Sequence, residues 1–319
     1  MTVRATPAGD DRQVSSGHTA RQRVLTFLSL TLGIDWSLVG LLYAAGVPFE
    51  GATVLAIGTV YMVVPAAVAI VLARRWRVPL RRYGLRLRWR WAFLLAFAVP
   101  MLLAVLTTAL AVGLGFGELD LSGEVMVERI AEYAGPEMAA QAREQMAELP
   151  INVLLLGFLA APLAGITING LFALGEELGW RGLLQRELAG LGFARSSVII
   201  GLIWGIWHAP LIAQGLNYPE HPLIGMLTMT AMCIPLGVLH SWVRLRAGTV
   251  LAAAVMHGTF NGLAGVTLGA VRGGSDLTIG FTGLCGIMAM CILAAAALLT
   301  PPRIDTDDEP TPPAVTSEE

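Results

Sequence analysis

Eight consecutive residues place two carboxylates and a guanidinium at the end of a long apolar run: Gly175-Glu176-Glu177-Leu178-Gly179-Trp180-Arg181-Gly182. A charge at the centre of a bilayer costs about 2.5–3.5 kcal/mol on insertion scales, so ionisable residues in such runs are usually functional. Glu177 and Arg181 are four residues apart and would pair on one helix face. Glu176 would lie about 100° away on that helix, free for chemistry. The competing interpretation is a salt bridge at a helix end, where the chain leaves the membrane.

Two histidines and an asparagine lie in later apolar runs. His208 follows Trp204 by four residues and Asn261 follows His257 by four, so each pair shares a helix face one turn apart. A single buried histidine is more often part of a satisfied core. Here the runs alternate in direction, and all of these polar groups fall at a compatible depth. The pattern therefore predicts one shared polar cavity with Glu176.

Other polar or reactive groups in the apolar runs are interpreted as structural. His240, near the inner end of its run, is predicted to lie at the membrane interface. Asn169 is predicted to make a hydrogen bond between helices, with only a weak claim to the site. The three cysteines all lie within apolar runs and indicate neither a disulfide framework nor a cysteine-based metal site.

The composition is that of a membrane protein. Hydrophobic residues make up 55% of the chain and charged residues only 14%, against about 25% charged in soluble domains. A helix needs about 20 apolar residues to cross the hydrocarbon core. We therefore predict an all-α, polytopic transmembrane bundle of about eight spans, roughly at residues 24–46, 52–73, 91–115, 151–174, 197–214, 223–243, 249–270 and 279–299.

The arginines predict the orientation. All 21 basic residues are arginine. If the N-terminus is cytoplasmic, only Arg129, Arg143 and Arg272 lie outside, which leaves the other 18 of the 21 on the cytoplasmic side. This bias follows the positive-inside rule and predicts both termini inside. We expect a multi-pass protein of the cell inner (plasma) membrane, with its cavity open to the cytoplasmic side.

The terminal segments and one long connection are polar. Residues 1–22 are predicted to be a disordered cytoplasmic segment, and residues 301–319 a disordered, acidic, Pro-rich tail. Between them, residues 23–300 form the predicted bundle, with a catalytic core at about 150–270. The outer connection from Gly117 to Pro150 is predicted to form two short amphipathic helices that are separated at Gly135-Pro136.

Three motifs, in their order along the chain, resemble those of the CPBP family. That family contains the type II CAAX prenyl endopeptidases together with bacteriocin-processing and abortive-infection relatives. The motifs are Glu176-Glu177-xxx-Arg181, Trp204-xxx-His208 and His257-xxx-Asn261. Each is short and matches often by chance, whereas the ordered set on successive membrane helices is specific. Trp204 stands where the family more often has phenylalanine, so the aromatic character is kept.

The resemblance implies an intramembrane endopeptidase of the CAAX type. It implies a catalytic site formed by Glu176, His208, His257 and Asn261. Glu177, Arg181 and Trp204 are expected to support that site. A glutamate can activate water as a general base, and histidine and asparagine can donate to the oxyanion. The expected substrate is a membrane-associated protein or peptide, prenylated in the family's eukaryotic precedent.

Three alternatives stay open at this point. A zinc-dependent version of the same protease would bind the metal through Glu176, His208 and His257, although no His-Glu-x-x-His motif is present. We expect no cofactor. A non-catalytic membrane scaffold or bacteriocin-immunity protein could use the same cavity, and a transporter is the third alternative. The lipid bilayer is the expected environment, and no nucleic acid is an expected partner.

Overall fold

The computed structural model describes residues 19–49 and 51–302, and most of these residues are helical. In chain order the described α-helices are α1 (Ala20–Ala44), α2 (Gly51–Arg75), α3 (Leu95–Gly113), α4 (Glu124–Ala134), α5 (Pro136–Ala147), α6 (Val153–Ile166), α7 (Ile168–Glu177), α8 (Gln185–Glu187), α9 (Gly192–Trp207), α10 (Ala209–Ala213), α11 (Pro222–Ala247), α12 (Val250–Gly269) and α13 (Leu284–Leu299). Short 3₁₀ helices occupy Leu80–Tyr83, Trp91–Leu94 and Ala189–Leu191, and a π-helix occupies Leu178–Leu184. Two short strands, β1 (Glu118–Leu119) and β2 (Val271–Arg272), pair in antiparallel fashion.

The polytopic helical bundle is confirmed. Among the described residues, six helical segments are long and apolar enough to cross a membrane: Ala20–Ala44, Ala56–Arg75, Trp91–Gly113, Ala189–Ala213, Pro222–Ala247 and Val250–Gly269. A bent pair, Val153–Ile166 with Ile168–Glu187, makes a seventh if it counts as one span. The predicted eighth span corresponds to α13, which is apolar but has only 16 residues.

The fourth predicted span differs most from its prediction. In place of one continuous span over 151–174, the helical chain bends by 54° between Val153–Ile166 and Ile168–Glu187, and α7 itself continues to Glu177. The backbone breaks at Thr167, with φ −114° and ψ −118°. The chain is close to α12 at this point: a Cβ at Gly258 would lie 2.5 Å from the backbone nitrogen of Gly170. Glycines at such crossings let helices approach closely, so the break follows tertiary contacts that hydropathy does not record.

Among the six candidate membrane spans, α12 is the most enclosed: 72% of its most apolar 18-residue stretch is buried. It packs against α3, α6, α7 and α11. Its side chains are mostly small, so neighbouring backbones come close on several sides. Because α7 and α12 pack directly against each other, polar groups on the two helices can meet away from water.

The long connection before α6 forms the two predicted amphipathic helices. α4 ends at Gly135, whose φ is +90°, and α5 begins at Pro136. Arg272 on β2 ties the connection to the bundle by binding Asp120 at 2.8 Å and Glu128 at 2.6 Å. Hydrogen bonds from Ser122, together with Arg272, lower the pKa of Asp120 to about 2. The contribution of this carboxylate to stability is complete above its ordinary pKa of 3.8 and is lost as the pH falls through about 2.

The terminal predictions are tested only in part. Thr19 caps α1, and reciprocal hydrogen bonds with Gln22 complete the cap, so residues 20–22 are helical and the prediction of disorder up to residue 22 is wrong at its end. Residues 1–18 and 303–319, where disorder was also predicted, lie outside the described residues.

The crossing of α7 and α12 gives a stability prediction. A methyl group at Gly258 would meet backbone atoms of Asn169 and Gly170 at 2.5–2.8 Å, and backbone cannot move aside as a flexible side chain can. We expect Gly258→Ala to destabilise the protein by about 1–3 kcal/mol, measured as a lower melting temperature in detergent micelles.

Gly265, on the same helix, is the matched control. No heavy atom lies within 4 Å of a Cβ placed there. Gly265→Ala should therefore be neutral or stabilise by about 0.5–1 kcal/mol through helix propensity. Equal melting temperatures for the two variants would contradict close packing at Gly258.

Candidate active site

The two adjacent glutamates lie in the protein core, not at a helix end in the interface. α7 ends at Glu177 and continues into the π-helix Leu178–Leu184, and every residue from 175 to 185 is buried. π-helical turns are rare and occur frequently at functional sites. The ion pair that the sequence predicts is present, because Arg181 NH1 donates to Glu177 Oε1 at 2.9 Å. Both side chains are fully buried.

Besides its ion pair with Arg181, Glu177 makes a hydrogen bond to a second helix, α12. His257 Nδ1–H, on α12, donates to the same Oε1 atom at 2.9 Å. The other oxygen, Oε2, is buried and has no hydrogen-bond partner among the described residues. The carboxylate that the sequence assigns a supporting role therefore joins Arg181 on the π-helix to a predicted catalytic histidine.

Trp204 on α9 is at the centre of the cluster. Its indole Nε1–H donates to Glu176 Oε2 at 2.7 Å. Its ring centroid lies 5.6 Å from that of His208 and 5.5 Å from that of His257. The guanidinium carbon of Arg181 lies 4.4 Å from the same centroid, a cation–π contact. One aromatic side chain thus contacts four of the residues that the three motifs contribute.

His208 directly follows the last residue of α9. Its Nδ1–H donates to the Trp204 carbonyl at 2.8 Å. A carbonyl can only accept, so in the neutral ring the proton is on Nδ1 and the lone pair is on Nε2. His208 therefore presents a basic nitrogen away from its own helix.

Asn261 does not join the cluster in this structure. It follows His257 by one turn of α12, as predicted, but its side chain is exposed. It makes no hydrogen bond with a residue in the described ranges. The structure thus brings together Glu176, His208 and His257 around Trp204 and leaves the Asn261 amide at the outside of this arrangement.

His240 was missed as a member of this cluster. It was predicted to lie at the interface, but on α11 it is fully buried, and its ring centroid lies 5.6 Å from Trp204 and 5.4 Å from His257. Its Nδ1–H donates to the Leu236 carbonyl at 2.9 Å, and Nε2 has no partner among the described residues. The depth argument that relates Glu176 to His257 applies equally to His240 and could have identified it.

Asp35 was also missed. It lies within the first apolar run, where a carboxylate is itself a signal of function. The side chain is fully buried, and its Oδ2 accepts a hydrogen bond from Trp207 Nε1 at 2.7 Å. Asn169, by contrast, has the predicted structural role, since its side-chain amide donates to the Gly258 carbonyl on α12 at 3.2 Å.

Several side chains of the cluster carry atoms that can bind a metal ion. Among the described residues that are buried, one group has donor atoms within 4.8 Å of one another, namely Glu177, His240 and His257. The predicted set with Glu176 and His208 does not form such a group. Glu177 is already paired with Arg181, so a cation there would lie beside a guanidinium and compete with it for one carboxylate. The Arg181 guanidinium, 2.9 Å from Glu177 Oε1, therefore opposes the binding of a divalent cation by this group.

The buried ion pair gives a second stability prediction. Arg181→Gln would leave the Glu177 carboxylate in the core with only His257 as a partner. Breaking a buried pair destabilises proteins by about 3–5 kcal/mol. The exposed pair of Arg143 with Glu124, at 2.7 Å, is the control, and Arg143→Gln should cost about 0–1 kcal/mol. Melting temperatures of the two variants in the same detergent provide the comparison, and similar small losses would contradict the central role of Arg181.

Two comparisons with known proteins find similar sequences. A family model described as "Type II CAAX prenyl endopeptidase Rce1-like" matches residues 148–263. A curated protein named CAAX prenyl protease 2, from Methanococcus maripaludis, is 28% identical over 93 residues. That alignment covers 27% of this chain and only 34% of the relative.

All seven residues of the three motifs lie inside the matched segment, and so does His240, while Asp35 lies outside it. The apolar helices and the family match together make this an integral, multi-pass membrane protein. The resemblance that the motifs indicated is confirmed, since residues 148–263 match the Rce1-like model of the type II CAAX prenyl endopeptidases.

Proposed function

We propose that this protein is an intramembrane endopeptidase that hydrolyses a peptide bond near the C-terminus of a prenylated, membrane-associated protein or peptide. The observation that carries the proposal is the position of Glu176. One of its oxygens accepts from Trp204 Nε1 at 2.7 Å, in a cluster with two histidines inside an apolar bundle. The family match and the name of the archaeal relative supply the reaction class.

Glu176 acts as the general base. Its Oε1 makes no hydrogen bond with a described residue, and the side chain keeps 3% of its surface exposed. A water held at Oε1 transfers a proton to the carboxylate while its oxygen attacks the scissile carbonyl carbon. His208 Nε2 accepts the second hydrogen bond of that water and orients it. Such proton transfer typically contributes about 10²–10⁴-fold to the rate.

His257 stabilises the oxyanion that the attack creates. Glu177 holds a proton on Nδ1, so Nε2 is the nitrogen that can face a substrate. With a second proton on Nε2, the ring donates to the oxyanion, and the neighbouring carboxylate offsets the added charge. Asn261, one turn along the helix, supplies a second donor once a substrate occupies the space beside it.

The collapse of the intermediate completes the reaction. The carbon–nitrogen bond breaks, and the proton held by Glu176 passes to the departing amine. The carboxylate returns to its starting state, and the atoms balance with water as the co-substrate alone. No step passes through a metal ion, because the cluster around Glu177 already contains the cation that its carboxylate requires.

The site opens to the cytoplasmic side of the plasma membrane in this proposal. The distribution of arginines supports that orientation, and Arg74, Arg75 and Arg246 lie in the last turns of α2 and α11. A substrate anchored by a prenyl chain would reach the cavity from the inner leaflet.

Replacement of Glu176 tests the proposal. Glu176→Gln keeps the acceptor for Trp204 but removes the base, so we expect cleavage to fall about 10²–10⁴-fold. The assay uses a quenched-fluorescent peptide ending in a farnesylated Cys and three further residues, with purified protein in liposomes. Glu187→Gln is the control, since Glu187 pairs with Arg23 at 3.4 Å and is not part of the cluster. Full cleavage by Glu176→Gln would exclude this mechanism. Cleavage by neither wild type nor variant would favour a non-catalytic membrane protein.

Chelation tests the metal-free mechanism. We expect wild-type cleavage to survive dialysis against EDTA and 1,10-phenanthroline, because Arg181 already neutralises Glu177. The measurement is the rate before and after dialysis, together with the metal content by mass spectrometry. Loss of activity with recovery on adding back Zn²⁺ alone would overturn the mechanism.

A further inference from the structure

α9 ends at Trp207 for a local chemical reason, and this end carries His208. Pro210 has no N–H to continue the helical ladder, and Leu211 N–H donates to the His208 carbonyl at 3.0 Å. The Trp207 carbonyl is thereby left without the partner four residues on. An unsatisfied carbonyl in an apolar bundle costs several kcal/mol, so it requires a donor from elsewhere.

The first two helices supply that donor, and they do so twice. Tyr61 O–H on α2 donates to the Trp207 carbonyl at 2.5 Å, and Trp36 Nε1–H on α1 donates to it at 3.2 Å. The ring of Tyr61 also lies against the ring of Trp207, with centroids 4.4 Å apart. The backbone immediately before His208 is therefore held by two helices that lie outside the family-matched segment.

Asp35, also on α1, binds the side chain of Trp207. Its Oδ2 accepts from Trp207 Nε1 at 2.7 Å, and it is fully buried. The ring of Trp207 meets the ring of His208 edge-on, with centroids 4.7 Å apart. Asp35 fixes the Trp207 indole, and the indole forms a wall against which the His208 imidazole lies.

We infer that Asp35 is a positioning residue for the reaction, which holds His208 in its working orientation through the Trp207 indole. The inference rests on the proposed function of His208 and extends the site to α1. Asp35 does not touch the substrate. Removing a group that orients a metal-binding histidine through a direct hydrogen bond costs about 10–100-fold, and we expect a loss of that order for this contact, which acts through Trp207.

Three variants in α1 separate positioning from general stability. Asp35→Leu removes the acceptor, Asp35→Asn keeps an oxygen that accepts from Trp207 Nε1, and Thr31→Val is the matched control. Thr31 is fully buried one turn before Asp35, and its hydroxyl has no partner among the described residues. We expect kcat on the farnesylated peptide to fall about 10–100-fold in Asp35→Leu, with KM little changed. Asp35→Asn and Thr31→Val should stay close to wild type.

A second measurement does not depend on cleavage. Hydrogen–deuterium exchange with mass spectrometry should show faster exchange in Asp35→Leu within residues 205–214, and unchanged exchange in α12. Wild-type kcat and wild-type exchange in Asp35→Leu would overturn the inference. Faster exchange throughout the protein would also overturn it, because it indicates a general loss of stability. So would a loss of kcat in Asp35→Asn equal to that in Asp35→Leu, because Asn keeps the hydrogen bond to which the inference assigns the effect.

The Glu176→Gln variant distinguishes failure of the inference from failure of the proposed function. If Glu176→Gln is inactive and Asp35→Leu is fully active, only the inference fails. If wild type does not cleave the peptide, the proposed function fails, and the exchange pattern alone decides whether Asp35 holds the end of α9. Local acceleration in Asp35→Leu with recovery in Asp35→Asn supports the contact, and its absence overturns it.

Discussion

The cluster depends on a carboxylate that has been removed from water together with its partners. Glu177 accepts from Arg181 and from His257 through one oxygen, both at 2.9 Å, and all three groups are buried. In a low-dielectric interior an ion pair offsets its desolvation only when geometry and additional hydrogen bonds are good. The partners come from the π-helix and from α12, so satisfying this one charge requires two chain segments to meet in one arrangement. Because Glu176 directly precedes Glu177 in the chain, the same arrangement also fixes the position of Glu176.

Two tryptophans on α9 each donate a hydrogen bond to one of the other buried carboxylates. Trp204 faces the glutamates and donates to Glu176, while Trp207 faces α1 and α2 and donates to Asp35. Indoles suit this role because each combines a large apolar surface with a single N–H that must find an acceptor when buried. His208 lies next to both rings, with centroids 5.6 and 4.7 Å away. Its position is thus determined by apolar contact on two sides and by its own hydrogen bond to the backbone.

Much of this was predictable because some physical signals are local. The spacing of four between Glu177 and Arg181 is enough to predict their pair, and the hydropathy of the chain predicts where the membrane helices lie. The break at Thr167 was not predictable, because it follows the approach of Gly170 to Gly258, residues far apart in sequence. The depth of His240 was predictable from its place in the apolar run, but its contact with Trp204 was not, because that depends on which face of α11 meets α9. The exposure of Asn261 was not predictable either. The spacing of residues predicts which face of the helix carries Asn261, but not which part of the protein packs against that face.

The contacts of Trp207 show that the segment recognised by sequence comparison is not a self-sufficient structural unit. The segment that sequence comparison recognises, residues 148–263, contains every residue of the three motifs. Yet, within the described part of the chain, the carbonyl and the indole of Trp207 find their hydrogen-bond partners in Asp35, Trp36 and Tyr61, which precede that segment. An evolutionary boundary and a folding boundary therefore fall at different places in the chain. The two N-terminal helices are part of the structural unit that holds this cluster, and a chimaera that kept only the recognised segment would end α9 on a buried carbonyl without these donors.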